Sequence, residues 1–555
     1  MKIQRTILAP LVVATVALAT GGWFLQRGAE PERNVYANAR LFDEVLEFVS
    51  EAFVEERSRD DLYQMAIDGL LQELGDPHTG FLPADEYENL RIQTQGEYGG
   101  LGIQIARRAG WITVINPLPG TPGERAGLRA GDQIIEVEGE STKGWTEDEA
   151  VAQLRGPKGA PVNITVARIG FDEPIDFRIV RDEIHIMSVP TAYMLDEGVG
   201  YVELQVFSES STDEVRGAVE KLVGQGAKGL VFDLRDNTGG LLEQGVSVSD
   251  LFLERGDMVV ETRGRIQNQN QKLIATHRDE FPDLPIVVLV GPRSASATEI
   301  VAGALQDHDR ALLVGGTTYG KGSVQTLLRL RDNNWLKLTT AKWYTPSGRS
   351  IQRPFGDEHP VEQIAGGDVI GVGAPVETEP EERPEYRTDA GRVVFGGGGI
   401  TPDLRIPPDT LVPEERVLYQ ALMQKNPTKF FETRFAFAVR YNEEHPQLEP
   451  GFEVTDAMLD AFYTALADAG LTVEREVYDA GRRWVAMHLG YELTISRWGA
   501  AEAKKRQNGD DSQVRTAIEL LHRADSPASL FAAAEAYEST LRTAVRSSGP
   551  EDGVR

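Results

Sequence analysis

The sequence predicts an α/β protein built from several domains, and three observations carry this prediction. Strand-like and helix-like segments alternate from Val199 to about Ile351, which is typical of a largely parallel sheet with right-handed crossovers. Residues from Glu97 to about Arg181 alternate with period two, which indicates a β-rich module. The 555 residues are too many for one hydrophobic core, so three or four domains are expected.

The first segment is predicted to be an export signal at residues 1–30. A basic start precedes an apolar run, Ile7–Ala19, as in a secretory signal peptide. Counted through Leu25, the run is about long enough to cross a bilayer. Ala17–Ala19 is an acceptable cleavage site, whereas Trp23 fits an uncleaved anchor, which we favour; a buried N-terminal helix is the alternative. Both export interpretations predict a bacterial periplasm or cell envelope as the location, secreted or tethered to the inner membrane.

The N-terminal helical region is predicted at 34–95. Apolar residues recur there at three- and four-residue steps in two stripes, which run from Leu41 to Phe53 and from Leu62 to Leu74. The second stripe stops before Pro77, which lacks the amide that would continue a helix.

The β-rich module is predicted at 96–184. Four segments alternate as short strands do: 103–105, 111–115, 133–137 and 162–166. Thr146 and Glu149 have the spacing of a capping box, so a helix is expected to begin there and to end at Arg155.

The α/β core is predicted at 185–408, with an acidic, glycine-rich loop at 355–400. Strands are expected at 200–207, 229–235, 285–290 and 311–314, and helices at 212–223, 241–253 and 296–306. The remaining chain, 409–555, is predicted to be a C-terminal helical region.

Composition excludes several classes of function. The net charge of −29, from 86 acidic and 57 basic residues, repels phosphate backbones and argues against a nucleic-acid partner. The chain has no cysteine, which excludes disulfide scaffolds, thiolate zinc sites and cysteine nucleophiles. Its eight histidines are scattered. We predict no metal and no cofactor.

Ser296 is the first candidate catalytic residue. It follows a buried strand and a small-residue turn and begins a predicted helix, where free amides favour developing negative charge. The alternative is that Ser296 is simply the N-cap of that helix.

Lys321 is the second candidate. Its neighbours Gly320 and Gly322 leave it little cover, so it can turn into a site, where burial favours the neutral amine. A neutral lysine near Ser296 would act as general base, and Gln325 would orient it. The alternative is a surface lysine in a glycine turn.

Two competing interpretations of these residues fail. Gly315, Gly320 and Lys321 nearly match a phosphate-binding P-loop, but Gly322 replaces the required Ser or Thr, which argues against an NTPase. A Ser-His-Asp triad would use His308 with Asp307 or Asp309. His308 lies about three turns beyond Ser296 on the same predicted helix and cannot easily reach it.

An oxyanion site is expected in the glycine turn that follows the strand at 229–235. The amides of Gly239 or Gly240, together with that of Ala297, are the candidate donors. The alternative is a turn that only connects strand to helix.

These residues resemble the carboxyl-terminal processing proteases, tail-specific serine endopeptidases of peptidase family S41 that contain a PDZ domain. The resemblance covers roughly residues 36–405. Its motifs appear in the expected order: Asp76–Thr79, Tyr98–Ile103, Asp233–Gly240, Ser294–Ile300, Gly320–Gln325 and Tyr344–Gln352.

The resemblance implies a ClpP/crotonase-like α/β protease core with Ser296 as nucleophile, Lys321 as base and Gln325 as its partner. It also implies that the β-rich module is a PDZ domain. Its loop, Tyr98, Gly99, Gly100, Leu101, Gly102 and Ile103, would bind the carboxylate of a peptide tail that adds as a strand beside 103–106. Arg155 is a candidate contact between the module and the core.

The expected function is therefore cleavage of proteins whose exposed C-terminal tail the PDZ domain captures. An adaptor protein, homo-oligomerisation through the helical regions and N-terminal membrane contact are further expected partners. Thr298 departs from the family, which usually has serine there, and the C-terminal helical region is outside the shared core. The alternative function is a non-hydrolytic tail-binding scaffold on an inactive core.

Overall fold

The computed structural model describes residues 36–354, 383–424 and 426–547. Contacts divide the chain into two units. The smaller comprises the chain up to Pro83 together with Thr326–Leu338, and the larger comprises Ala84–Gln325 and the chain from Thr339 onward.

Among its described residues, which begin at 36, the smaller unit has two helices and a short strand pairing. Helix α1 spans 36–52 and α2 spans Arg59–Gln72, where the Ser58 hydroxyl caps α2 by accepting from the Asp61 amide at 3.0 Å. Strand β1 (Gly80–Leu82) pairs antiparallel with residues 335–337. The predicted helices are confirmed, but much of the predicted apolar stripe is exposed, including Leu41 at 61% and Phe48 at 63%.

In the larger unit, helix α3 (Ala84–Gln95) precedes the β-rich module. The strands and helices of the module are β2 (Glu97–Gly100), β3 (Ile103–Arg108), β4 (Trp111–Pro117), α4 (Pro122–Ala126), β5 (Gln133–Val137), β6 (Glu140–Ser141), α5 (Glu147–Leu154), β7 (Pro161–Ala167), β8 (Ile175–Val180) and β9 (Asp182–His185).

The four predicted strands of this module are confirmed. The sheet has the order β3-β4-β5-β7-β8 and is antiparallel, with β6 beside β5, while β2 pairs separately with β9. The capping box of α5 is present, since the Glu149 amide donates to the Thr146 hydroxyl at 3.2 Å and the Thr146 amide donates to Glu149 at 2.7 Å. Strand β3 is at an edge of the sheet.

The α/β core is built on a six-stranded sheet. Its elements are β10 (Thr191–Asp196), β11 (Val199–Glu203), α6 (Ser211–Gly224), β12 (Gly229–Asp233), α7 (Leu242–Asp250), β15 (Ile286–Val290), α8 (Ala297–Asp307), β16 (Leu312–Gly315) and β21 (Leu404–Arg405). The order is β10-β11-β12-β15-β16-β21, parallel except for β10. The predicted parallel sheet is confirmed.

A second group of strands lies beside this core. It comprises β13 (Met258–Gly264), β14 (Gln271–Ile274), β17 (Ser323–Arg329), β18 (Trp335–Tyr344) and the hairpin β19 (Glu385–Arg387) with β20 (Val393–Phe395). The last part of β18, from Ala341, pairs antiparallel with β13.

The C-terminal region is helical, as predicted. Its helices are α9 (Pro413–Met423), α10 (Pro427–Glu444), α11 (Asp456–Asp468), α12 (Arg475–Ala480), α13 (Arg482–Trp498), α14 (Ala500–Asp510), α15 (Ser512–His522) and α16 (Pro527–Ser547). Helices α9–α13 form their own apolar core around Phe430, Phe462 and Trp484.

The two faces of the central sheet are covered by different parts of the chain. Because successive strand residues point to opposite faces, Leu230 and Phe232 of β12 pack with α6, α7 and α8, whereas Val231 packs with α15 and α16. The last two helices therefore complete the sandwich around the central sheet.

Candidate active site

Ser296 lies in the sharp turn between β15 and α8. Its backbone has φ 57° and ψ −116°, a conformation that costs a residue with a side chain about 1–3 kcal/mol. Buried Ser294 holds the turn, because its hydroxyl donates to the Leu234 carbonyl at 2.7 Å and accepts from the Gly291 amide at 3.0 Å. Ser296 is only partly buried and stands at the N-terminus of α8, where free amides favour negative charge.

Glu299, in the first turn of α8, joins the two predicted catalytic segments. Its fully buried carboxylate accepts four hydrogen bonds from uncharged donors. Oε2 accepts from the amides of Ser296 and Lys321, each at 2.9 Å. Oε1 accepts from the Thr318 hydroxyl at 2.5 Å and the Gly320 amide at 2.7 Å. Because the Ser296 and Lys321 amides share one oxygen, their nitrogens lie within twice 2.9 Å of each other.

The protonation of Glu299 reflects two opposed effects. Burial raises the pKa of Glu299 above its ordinary value, and the hydrogen bonds that it accepts oppose this rise without cancelling it. The four donors that the structure describes on this carboxyl group are therefore all uncharged: three amides and one hydroxyl.

The main chain of Lys321 is fixed at both ends of the residue. Its amide donates to Glu299, and its carbonyl accepts from Nε1 of buried Trp343 at 3.1 Å. The flanking glycines are closely packed: a Cβ at Gly322 would lie 3.1 Å from Gln352, and Gly320 has a φ of 94°, which favours glycine. The side chain of Lys321 is half-buried.

Gln325 lies in β17, so its predicted strand context is confirmed. Its Nε2 donates to the hydroxyls of Ser323 at 3.0 Å and Thr339 at 3.2 Å. These bonds fix the amide plane, and Oε1 is the atom of Gln325 that can accept from an amine. The orientation of Lys321 by Gln325 stays a prediction.

The turn after β12 lies directly against Ser296. A Cβ at Gly239 would lie 2.8 Å from the Cβ of Ser296, so glycine is needed there. The Gly239 amide donates to Asn237 Oδ1 at 2.8 Å, whereas those of Gly240 and Ala297 donate to no group within the described part of the chain. Gly240 and Ala297 are therefore the better placed of the three predicted oxyanion donors.

Asn237 ties this turn to the nucleophile turn. Its carbonyl accepts from the Ala295 amide at 3.1 Å and from the Thr298 hydroxyl at 2.8 Å. Its side-chain Nδ2 donates to the Leu204 carbonyl at 2.9 Å. Thr298, which departs from the family pattern, keeps the hydroxyl that makes this contact.

The histidine and aspartates of the rejected triad have other partners. His308 is the C-cap of α8, as predicted, and its ring nitrogens bond to Asp389 at 2.7 Å and to the Met258 carbonyl at 2.8 Å. Asp307 pairs with fully buried Arg349 at 2.7 Å, and Asp309 pairs with Arg392 at 2.6 Å.

The predicted tail-binding loop consists of the end of β2, a two-residue connection and the first residue of β3. Tyr98, Gly99 and Gly100 lie in β2, whereas the amides of Leu101 and Gly102 donate to no group among the described residues. Successive unused amides of this kind form a nest for a carboxylate.

Ile103 begins edge strand β3, beside which a peptide strand can add. Helix α5 lies along the same edge, since its Glu147 accepts from the Arg107 amide of β3 at 2.9 Å. Strand β3 and helix α5 are therefore neighbours, and a peptide groove between them stays a prediction.

Arg155 closes α5 and contacts the helix before the module. Its guanidinium lies 4.7 Å from the centroid of the Tyr98 ring and donates to Asn89 Oδ1 of α3 at 3.1 Å. At the end of α3, the Thr94 carbonyl accepts from the Glu209 amide at 3.0 Å. Arg155 thus touches a helix that is bonded to the core, and its role in coupling stays a prediction.

Comparison with known proteins adds to this geometry. The model of peptidase family S41 matches residues 198–358, and the model of the PDZ domain matches residues 89–167. The carboxy-terminal-processing protease of Bartonella bacilliformis is 43% identical over 325 residues, which are 58% of this chain and 74% of that protein. The chain belongs to peptidase family S41, with the carboxy-terminal processing proteases.

Two further relatives were found. The carboxy-terminal processing protease CtpA of Bacillus subtilis is 35% identical over 307 residues, which are 55% of this chain and 65% of that protein. The solved structure of a photosystem II D1 C-terminal processing protease is 30% identical and covers 56% of this chain and 89% of its own, with a TM-score of 0.32.

The family assignment confirms the predicted fold class: an S41 protease core with a PDZ domain and helical regions at both ends. This S41 chain is a serine-type peptidase. The predicted domain boundaries and site residues stay predictions.

Sequence reasoning missed Glu299, although a signal was available. Ser296 and Glu299 have the serine-x-x-glutamate spacing of a capping box, which points the glutamate back at the first amide of the helix. The same carboxylate also accepts from the amides of Gly320 and Lys321, which the fold brings close to it. No sequence signal shows these contacts.

Proposed function

We propose that this S41 peptidase is an exported endopeptidase that captures a C-terminal tail on its PDZ domain and cleaves the substrate with a Ser296–Lys321 dyad. The observation that supports the dyad is the shared hydrogen-bond acceptor, Glu299 Oε2, which holds the amides of both residues. The family provides the reaction class, hydrolysis of peptide bonds.

In the proposed mechanism, neutral Lys321 takes the proton of the Ser296 hydroxyl as Oγ attacks the peptide carbonyl. The Gly240 and Ala297 amides hold the oxyanion, and Gln325 orients the amine. Lys321 then gives its proton to the leaving amine. Lys321 then deprotonates a water that attacks the acyl carbonyl; the bond between the carbonyl carbon and Oγ breaks, and Lys321 returns the proton to Oγ, which restores Ser296.

Tail capture is proposed to use the amides of Leu101 and Gly102 for the terminal carboxylate and the edge of β3 for the preceding residues. The groove walls support a ligand in extended conformation. An apolar final side chain would enter the module, whose core includes buried Leu101 and Ile112.

Export and membrane contact are part of the proposal. The predicted signal or anchor at 1–30 lies outside the described residues, and among the described helices none is long and apolar enough to cross a membrane. The proposed location is the periplasm or cell envelope, supported by the basic and apolar start of the sequence.

Homo-oligomerisation is proposed through the smaller unit. Its two described helices, with the turn after α2, expose several large apolar side chains: Leu41, Phe42, Val45, Phe48, Met65, Leu70 and Leu74. Apolar surface of this extent marks an interaction site. A second copy is the proposed occupant, and an adaptor protein is the alternative that cross-linking would distinguish.

The decisive experiment compares Ser296→Ala and Lys321→Ala with Lys272→Ala, an exposed lysine on β14. We expect the first two variants to lose cleavage of a tail-bearing unfolded protein by at least about 1,000-fold while tail-peptide binding persists. The control should cleave normally. Undiminished cleavage by pure Ser296→Ala would refute the nucleophile. A wild-type chain that binds tails without cleaving or reacting with a fluorophosphonate would instead support the scaffold.

A further inference from the structure

The C-terminal helices meet the central sheet at the strand ends that lead into the proposed oxyanion turn. Helix α15 packs its buried Val514 and Leu521 on the face of the sheet that carries Tyr201 and Val231. At the carboxyl ends of β11 and β12, next to this apolar contact, charged side chains take the place of apolar ones.

Two buried carboxylates lie side by side at these strand ends. Glu203 and Asp233 are paired positions of adjacent parallel strands, so their side chains lie on the same face. Two anions in this position require cations nearby. Arg235 supplies one within the same segment, donating to Asp233 at 2.7 Å through Nη2 and at 3.0 Å through Nε.

The second cation comes from α14. Lys504 Nζ lies 3.1 Å from Glu203 Oε1 and 3.9 Å from Asp233 Oδ2, and its side chain is only 16% exposed. Burial by itself lowers the pKa of Lys504, but the two carboxylates outweigh burial and the net pKa is raised. Lys504 is therefore a charged partner for both anions.

Arg235 is also bound by the start of α15. Its Nη1 donates to Asp511 Oδ2 at 2.6 Å and to Gln513 Oε1 at 2.9 Å. The other oxygen of Asp511 caps α15 by accepting from the amides of Gln513 at 2.8 Å and Val514 at 3.1 Å. One carboxylate thus links the helix start to the guanidinium.

The segment after Arg235 is the one that touches the nucleophile. Asn237 follows by two residues and is bonded to Ala295 and Thr298, and Gly239 lies against Ser296. The segment is therefore held by the nucleophile turn through Asn237 and by the C-terminal helices through Arg235.

We infer that Lys504 and Asp511 are positioning residues that fix the oxyanion turn of Gly239 and Gly240 against Ser296, through Asp233 and Arg235. This inference rests on the proposed function. It gives the C-terminal helical region a part in the reaction, because its ion pairs set where the turn amides point. A displacement of such a group by about 1 Å is enough to lower a rate about 100-fold.

The test measures kcat and KM of the full-length chain for a tail-bearing substrate. We expect Lys504→Met and Asp511→Asn each to lower kcat about 10- to 100-fold with KM unchanged. Lys504→Arg should retain most of the wild-type kcat, because arginine keeps the positive charge. Lys505→Met, next to Lys504 on an exposed part of α14, is the matched control and should behave as wild type.

Asp511→Asn guards the test against loss of the helix start, because asparagine is as good an N-cap as aspartate, while it removes both the charge and the hydrogen-bond acceptor that face Arg235. A peptide boronate, which mimics the tetrahedral intermediate, provides a second readout. Its affinity should fall with kcat, whereas binding of the tail peptide should not change.

Three results would overturn the inference: unchanged kcat in both variants, loss of activity only in proportion to the unfolded fraction, or a rise in KM alone. Failure of the proposed function is distinguishable from these results. It would show as full activity of Ser296→Ala, whatever the behaviour of Lys504→Met.

Discussion

Two buried carboxylates, Glu299 and Asp233, hold the segments of the proposed active site, and they are stabilised in opposite ways. Glu299 accepts from a hydroxyl and three amides, and burial leaves its pKa raised. Burial also acts to raise the pKa of Asp233, but Arg235 and Lys504 outweigh it and hold that pKa well below the ordinary value. Neutral hydrogen-bond donors stabilise Glu299, whereas cations stabilise Asp233. Substitutions at the two sites should therefore have different effects on stability and activity.

The largest effect is expected for Glu299→Ala. The substitution leaves four buried donors without an acceptor, and each unsatisfied group costs about 1–3 kcal/mol. We expect the free energy of unfolding to fall by at least about 3 kcal/mol and cleavage to fall more than about 100-fold. Denaturant unfolding and a cleavage assay measure the two quantities.

Glu243→Ala is the control for this prediction. Glu243 is an exposed glutamate in the first turn of α7, and its loss should change stability by no more than about 0.5 kcal/mol. If Glu299→Ala were as stable and active as Glu243→Ala, the four-donor site would have no role.

A nearby cation stabilises the charged form of a buried carboxylate but destabilises the charged form of a buried imidazole, which sharpens the comparison. Burial, with a smaller contribution from Arg434, lowers the pKa of His488 from 6.5 to about 3. Between those values the unfolded chain binds a proton that the folded chain excludes, so stability is present above pH 6.5 and is lost as pH falls toward 3. Each pH unit in this window should cost about 1.4 kcal/mol.

This pH dependence is measured by denaturant unfolding at pH 7, 5.5 and 4.5. His488→Gln should flatten the slope between pH 6.5 and 4.5 relative to the wild-type chain. An identical slope in wild type and His488→Gln would show that folding does not lower the pKa of His488.

Features that depend on neighbouring residues could be predicted from the sequence. Local patterns were sufficient for the strands of the PDZ module, for the α5 capping box of Thr146 and Glu149, and for the alternation around β12 and β15, because each depends on neighbouring residues. The strand–turn–helix at Ser296 was predictable for the same reason.

Contacts between distant segments could not be predicted. Lys504 is far along the chain from Glu203, and no spacing rule joins them. The periodicity of α1 predicted a helix correctly, but periodicity does not say what covers the apolar face, and Phe48 is exposed in the described chain. Likewise, nothing in the pattern of 409–555 showed that α15 and α16 would cover the sheet while α9–α13 formed a separate core.

The smallest expected effect concerns Arg155, a cation whose ring and hydrogen-bond partners are uncharged. It lies over the Tyr98 ring and donates to Asn89, and such a stacked cation contributes about 0.5–1 kcal/mol. If these contacts couple the PDZ module to the core, Arg155→Ala should lower kcat/KM for a tail-bearing protein about three-fold and leave tail-peptide affinity unchanged. Asn89→Ala should reproduce part of the loss, because it removes the contact with α3 but keeps the ring. Equal losses for substrates with and without a tail would mean that Arg155 only stabilises the fold, because a coupling residue acts only when the tail is bound.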